Sequence, residues 1–134
     1  MRIIFLALFI LAMAGASVAG AQDVRTPRDV IDAQLQAFQA DDFETGFGFA
    51  SPYIRSLFGS VGNFERMVTR DYPMVHRPQS VRYLDQSQRN GLTVQRVLIT
   101  DQQNRLFLLE YELVGTADEM QINGVRILPS GLGA

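Results

Sequence analysis

The stretch Ser80-Val81-Arg82-Tyr83-Leu84-Asp85-Gln86-Ser87-Gln88-Arg89-Asn90-Gly91-Leu92-Thr93-Val94-Gln95-Arg96-Val97-Leu98-Ile99-Thr100 decides the fold. Residues 80–86 read as a strand and residues 92–100 as a second one. Between them Asn90-Gly91 is the strongest short hairpin signal a sequence offers, because both residues accept the positive φ of a tight turn. Downstream the same period of two continues. Asp101 to Asn104 form a polar turn, Arg105 to Val114 a long third strand, Gly115 to Glu119 another turn, and Met120 to Leu128 the last strand. Gly124 inside that last strand predicts a bulge, at which the inward-facing parity passes from Ile122 to Val125.

Upstream of Ser80 the period is helical. Thr26-Pro27 is a helix start, with a capping hydroxyl followed by proline at the first helical position. Asp29 and Asp32 place negative charge near its positive end. Val30, Ile31, Leu35 and Phe38 then recur on one stripe of residues 27–39. Asp41-Asp42 ends this pattern and caps a shorter helix carrying Phe43, Phe47 and Phe49. Ser51-Pro52 repeats the start signal for a turn that stops at Gly59, and Asn63 is read as the cap of a fourth segment ending near Asp71-Tyr72-Pro73. Helices followed by an antiparallel meander make an α+β domain: N-terminal helices packed on a curved sheet of about four strands, cone-like in outline.

The first 21 residues have a separate character. Arg2 supplies a positive start, Ile3 to Met13 an apolar run, and Ala19-Gly20-Ala21 a small-x-small cleavage site, the pattern of a secretory signal peptide. The run is shorter than the ~20 residues that cross a bilayer, so no stable membrane anchor is expected after cleavage. The expected organisation is a leader, residues 1–21, and one domain, residues 22–134, exported to the periplasm or the medium. Loss of Arg2 takes the net charge from −2 for the whole chain to −3. A mildly acidic domain does not suit nucleic acid, whose phosphates reward positive charge. All 12 cationic side chains are arginine, so lysine Schiff-base chemistry is excluded. There is no cysteine, which excludes disulfides, thiol nucleophiles and cysteine–zinc sites.

The run Ile31-Asp32-Ala33-Gln34-Leu35-Gln36-Ala37-Phe38, then Asp41-Asp42 and Phe49-Ala50-Ser51-Pro52, resembles a bacterial family called domain of unknown function 4864. Phe64 with Met67-Val68, Tyr72-Pro73, Gln95 with Val97, Tyr111, and Ile122-Asn123-Gly124-Val125 continue the likeness in order over nearly the whole of residues 22–134. One departure is Met120, where the family pattern has tryptophan ahead of the Ile-x-Gly-Val segment. The resemblance implies export and the cone-shaped fold of the nuclear-transport-factor-2-like superfamily. It implies no activity.

The candidate chemistry is sparse. His76, the only histidine, lies on the segment Tyr72 to Pro78, suited to a general base or to a hydrogen-bonded loop residue. One histidine with scattered carboxylates lacks metal-ligand spacing, so no metal and no cofactor is expected. Gln34 projects from the apolar stripe of the first helix. Gln95 shares its parity with Val97 and Ile99, and Tyr111 shares its parity with Phe107, Leu109 and Leu113. Two readings are open to these inward polar groups: they satisfy one another within a filled core, or they line a ligand pocket with Tyr72 and His76. Glu110 and Glu112 share the other face of the third strand, where Arg96 and Arg126 can pair with them across strands. Solvated ion pairs are expected there rather than acid–base catalysis.

Two functions from different classes fit. One is a non-catalytic exported domain binding a small apolar molecule or a protein partner, with homodimerisation compatible. The other is a small isomerase or cyclase using an acid or base in the cone. No residue is assigned a catalytic role. Cleavage after Ala21 predicts that the chain recovered from the periplasm of an expressing host starts at Gln22, which intact-mass measurement reads directly.

Overall fold

Side-chain caps set where the first four helices begin. In the computed structural model, which describes residues 26–116 and 119–129, helix α1 (Pro27–Gln39) starts at Thr26. The Thr26 hydroxyl accepts from the Asp29 N–H at 3.1 Å, and the Asp29 carboxylate accepts from the Thr26 N–H at 3.3 Å. Each satisfies an amide that the first turn leaves without a partner. Asp42 caps α2 (Phe43–Gly48) by accepting from the Thr45 N–H, and Ser51 caps α3 (Pro52–Phe58) by accepting from the Ile54 N–H. Helix α3 stops at Gly59, whose φ of 77° is the left-handed conformation that glycine adopts without strain. The leader expected in residues 1–21 lies outside the described residues.

Two local expectations change. The cap of α4 (Val61–Asp71) is Ser60 and not Asn63. Ser60 accepts from the Asn63 N–H at 3.2 Å, while the Asn63 amide reaches back to donate to the Phe58 carbonyl at 2.9 Å. Both residues are good caps, and starting at Ser60 brings Val61 against the core. The segment after α4 is also not a plain connector. Pro73–His76 form one helical turn, α5, that buries Met74 and Val75.

Four strands follow: β1 (Ser80–Arg89), β2 (Leu92–Thr100), β3 (Leu106–Thr116) and β4 (Glu119–Leu128). They form one antiparallel sheet in the order β1-β2-β3-β4. Strand β1 runs three residues past the expected end and meets the turn directly, with φ of 52° at Asn90 and 78° at Gly91. It does so through a bulge at Leu84-Asp85, between the pairs Tyr83↔Val97 and Gln86↔Gln95. In β4 the pairs Leu113↔Ile122 and Glu112↔Gly124 leave Asn123 as the extra residue. Ile122 and Val125, three apart, therefore reach the same side of the sheet. The bulge is tied down from the helical layer. The Ser51 N–H donates to the Ile122 carbonyl and the Ile122 N–H to the Phe49 carbonyl, both at 2.8 Å, while the Ser51 hydroxyl donates to Asn123 Oδ1.

One core joins the layers. Val30, Ile31, Leu35 and Phe38 of α1 share a buried cluster with Val97, Ile99, Leu109 and Leu113 of the sheet. Each such side chain contributes ~1.5–3 kcal/mol on burial. Phe38, Phe43, Phe47, Phe58 and Phe64 form a chain of ring contacts with centroids 4.9–5.8 Å apart, the geometry that aromatic pairs favour. Helix α2 approaches this chain through Gly46, where an added Cβ would sit 2.5 Å from Phe38 Cε1. No helix among the described residues is long and apolar enough to cross a membrane.

Gly46→Ala therefore has to displace a buried ring, and we expect a loss of ~1–3 kcal/mol in urea unfolding. Gly48→Ala, two residues on with nothing within 4 Å, is expected to be neutral or slightly stabilising.

Candidate functional site

The two layers do not fill the space between them. Helix α1, α3, α4 and the β3–β4 pair line a half-open cavity of about 400 Å³. Its walls are mainly apolar: Phe38 from α1, Ile54 and Phe58 from α3, Phe64 and Met67 from α4, and Ile122 and Val125 from β4. The bulge at Asn123 is what lets both of those β4 residues face inward. Helix α3 closes one side although none of its residues is buried; Tyr53 and Leu57 remain 64% and 62% exposed.

Few polar groups reach this space. Tyr111 projects from β3, opposite Gln95 on one side and Val125 on the other. It is 1% exposed, and its hydroxyl has no hydrogen-bond partner among the described residues. Burial, then the neighbouring Tyr72, pushes its pKa up, so it stays a neutral phenol able to donate or accept. The Tyr72 hydroxyl donates to the Val125 carbonyl at 3.3 Å. Gln34, 4% exposed, donates from Nε2 to the Gly46 carbonyl at 3.1 Å, across the close approach of α1 and α2. Asp71 is a lining carboxylate that the sequence marks only as a helix end. It stands half-exposed at the rim with both oxygens held by Arg70, at 3.1 and 3.3 Å.

Of the five residues singled out from sequence, the structure brings Gln34, Tyr72 and Tyr111 together on the cavity and places the other two elsewhere. Gln95 is buried at the β1 bulge. Its Nε2 donates to the carbonyls of Leu84 (3.1 Å), Asp85 (3.4 Å) and Arg96 (2.9 Å), so it serves backbone that the bulge frees from the ladder. His76 packs its ring against Phe43, and Nε2 lies 2.7 Å from Asp41 Oδ1. Asp41 has a φ of 56° and is also gripped by Arg77, which donates to the Phe38 and Gln39 carbonyls at the end of α1. The His76 bond, then burial acting the other way, then Arg77, leave the Asp41 carboxyl below its ordinary value. This cluster locks α5 to the end of α1.

The opposite sheet face differs from expectation. Glu110 does pair with Arg126 and Arg96, its direct cross-strand neighbours, but Arg89 of β1 joins them and the carboxylate is 2% exposed rather than solvated. The arginines themselves stay about half-exposed, folding their stems over the carboxylate while their charged heads meet water. Hydrogen bonds from Arg89 and Arg126 outweigh burial and bring the Glu110 pKa to about 2. Among the described residues no group of three metal-ligating side chains comes together.

Fold and site thus define a small α+β domain with a walled apolar cavity and a few buried polar groups. The family model "Domain of unknown function (DUF4864)" matches residues 20–132, and the chain belongs to that family. No curated protein and no solved structure matches the chain.

Because folding lowers the Glu110 pKa from 4.5, its stabilisation is complete above that ordinary value and is lost as the pH falls from about 5 toward 2. We expect Glu110→Gln to cost ~1–3 kcal/mol at neutral pH, less than a fully sealed ion pair because the arginines rehydrate. Its urea stability should also fall less steeply than the wild type's between pH 5 and 2, the difference isolating Glu110 from other carboxylates.

Proposed function

We propose that the domain is an exported, non-catalytic binding module that holds a small apolar molecule in the cavity between α1, α3, α4 and the β3–β4 pair. One observation carries this reading: a void of about 400 Å³ with apolar walls into which a buried tyrosine hydroxyl opens without a partner. Polar side chains placed in a core are nearly always hydrogen-bonded there, and the described residues leave no sealed side-chain nitrogen or oxygen unpaired, so the Tyr111 hydroxyl is reached from the pocket. A core that used its polar residues only for internal order would pair Tyr111 as it pairs Gln95. The size and lining match those of small-molecule sites, with mostly apolar walls and few hydrogen-bonding groups.

The leader-like pattern of residues 1–21 supports export. The succession of helices and a four-stranded meander supports grouping the family with the nuclear-transport-factor-2-like superfamily. Fold alone assigns no ligand, so the reading rests on the cavity.

Ala50 lines the void and is 1% exposed. Ala50→Leu extends a side chain into it. We expect this variant to fold with unchanged or higher stability, by up to ~2 kcal/mol, and to lose the small-molecule adduct that native mass spectrometry finds on wild-type protein taken from the periplasm. An adduct unaffected by Ala50→Leu, or an Ala50→Leu chain that unfolds for want of space, would sink the proposal. Chemical conversion of the bound molecule, instead of its unchanged release, would favour the isomerase or cyclase alternative.

A further inference from the structure

Two buried polar atoms face the cavity with capacity to spare. The Gln34 amide orientation is settled by its partner: Nε2 donates to the Gly46 carbonyl, and the flipped amide would set oxygen against oxygen. Gln34 Oε1 then has no donor among the described residues, and neither has the Tyr111 hydroxyl a partner. Yet among the described residues no buried side-chain nitrogen or oxygen is sealed away unpaired. Two atoms without partners on residues 4% and 1% exposed, both lining the same void, are therefore open to it. One is an obligate acceptor. The other is a neutral phenol, free to donate.

The charges around the void add a second constraint. Among the described residues none lining it is an arginine or a histidine, and the one carboxylate at its rim is Asp71, held by Arg70 on the outside. An anionic ligand carried into the cavity would leave water without meeting a cation, at a cost that apolar contacts do not recover. Phe38, Phe58, Phe64, Tyr72 and Tyr111 supply flat walls suited to a ring system.

Resting on the binding function proposed above, we infer that the ligand is a neutral, ring-containing alcohol or phenol whose hydroxyl donates to Gln34 Oε1 and accepts from the Tyr111 hydroxyl. A hydroxyl is the smallest group that fills both roles at once. Hydrocarbons of the same shape occupy the cavity more weakly, and carboxylates are rejected.

The test uses three compounds on one skeleton, 2-naphthol, naphthalene and 2-naphthoate, titrated into the wild-type domain at neutral pH with binding read by calorimetry. We expect 2-naphthol to bind about tenfold more tightly than naphthalene, as one net buried hydrogen bond allows, and 2-naphthoate not to bind. Tyr111→Phe should keep naphthalene binding and shrink the preference for 2-naphthol, since only the bond to Gln34 Oε1 then remains. Equal binding of 2-naphthol and naphthalene, or binding of 2-naphthoate as tight as that of 2-naphthol, overturns the inference while leaving an apolar pocket in place. Failure of all three compounds overturns the pocket and the inference together. The wild-type comparison stands without the variant should Tyr111→Phe not fold.

Discussion

Everything in this domain depends on the burial of one helix stripe against one sheet face. Val30, Ile31, Leu35 and Phe38 are almost fully withdrawn from solvent, and so are Val97, Ile99, Leu109 and Leu113 opposite them. With no cysteine in the chain, this shared core has no covalent support. The remaining helices take their positions from it. Helix α2 leans on Phe38 through Gly46, and α5 is fastened to the end of α1 by the Asp41, His76 and Arg77 cluster. Helix α3 buries no residue of its own, and it borders the region where the two layers stay apart. The cavity is the space left where the core contact ends.

Strand β3 carries chemistry on both faces because successive side chains alternate. Tyr111 enters the cavity, and its chain neighbour Glu110 points to the opposite face beneath Arg89, Arg96 and Arg126. The carboxylate draws arginines from three strands toward one point, tying β1, β2 and β4 to β3 directly behind Tyr111. A hydroxyl placed on such a backbone is held without bonds of its own, and preorganisation of this kind lowers the ordering cost of binding. On the β4 side the extra residue Asn123 bends the strand and is caught by Ser51, so the floor of the cavity is joined to the start of α3.

Legibility followed the range of the interaction. The Thr26 cap, the Ser51-Pro52 start, the Gly59 stop, the Asn90-Gly91 turn and the switch from Ile122 to Val125 all depend on residues within a few positions of one another, and all are readable. The choice between Ser60 and Asn63 is not, because both are competent caps and the burial of Val61 decides between them. The β1 bulge has no local signal, because Leu84-Asp85 contains no glycine; what accommodates it is Gln95, across the hairpin. Asp71 looked like a helix end and nothing more, since its place at the cavity rim depends on how α4 lies over the sheet.

The amino-acid sequence by itself determined the class of fold, the order of its elements and the inward parity of Gln34, Gln95 and Tyr111, because periodicity and capping are local properties of the chain. Only the tertiary structure decided which of those inward groups meet. Gln95 found freed carbonyls at a bulge, His76 found Asp41, and Tyr111 found open space. It also decided that Glu110 is buried, since three arginines from three strands converge on it. Parity says which way a side chain points; what stands opposite depends on strand register, bulges and helix placement, and those are settled by packing across the whole domain.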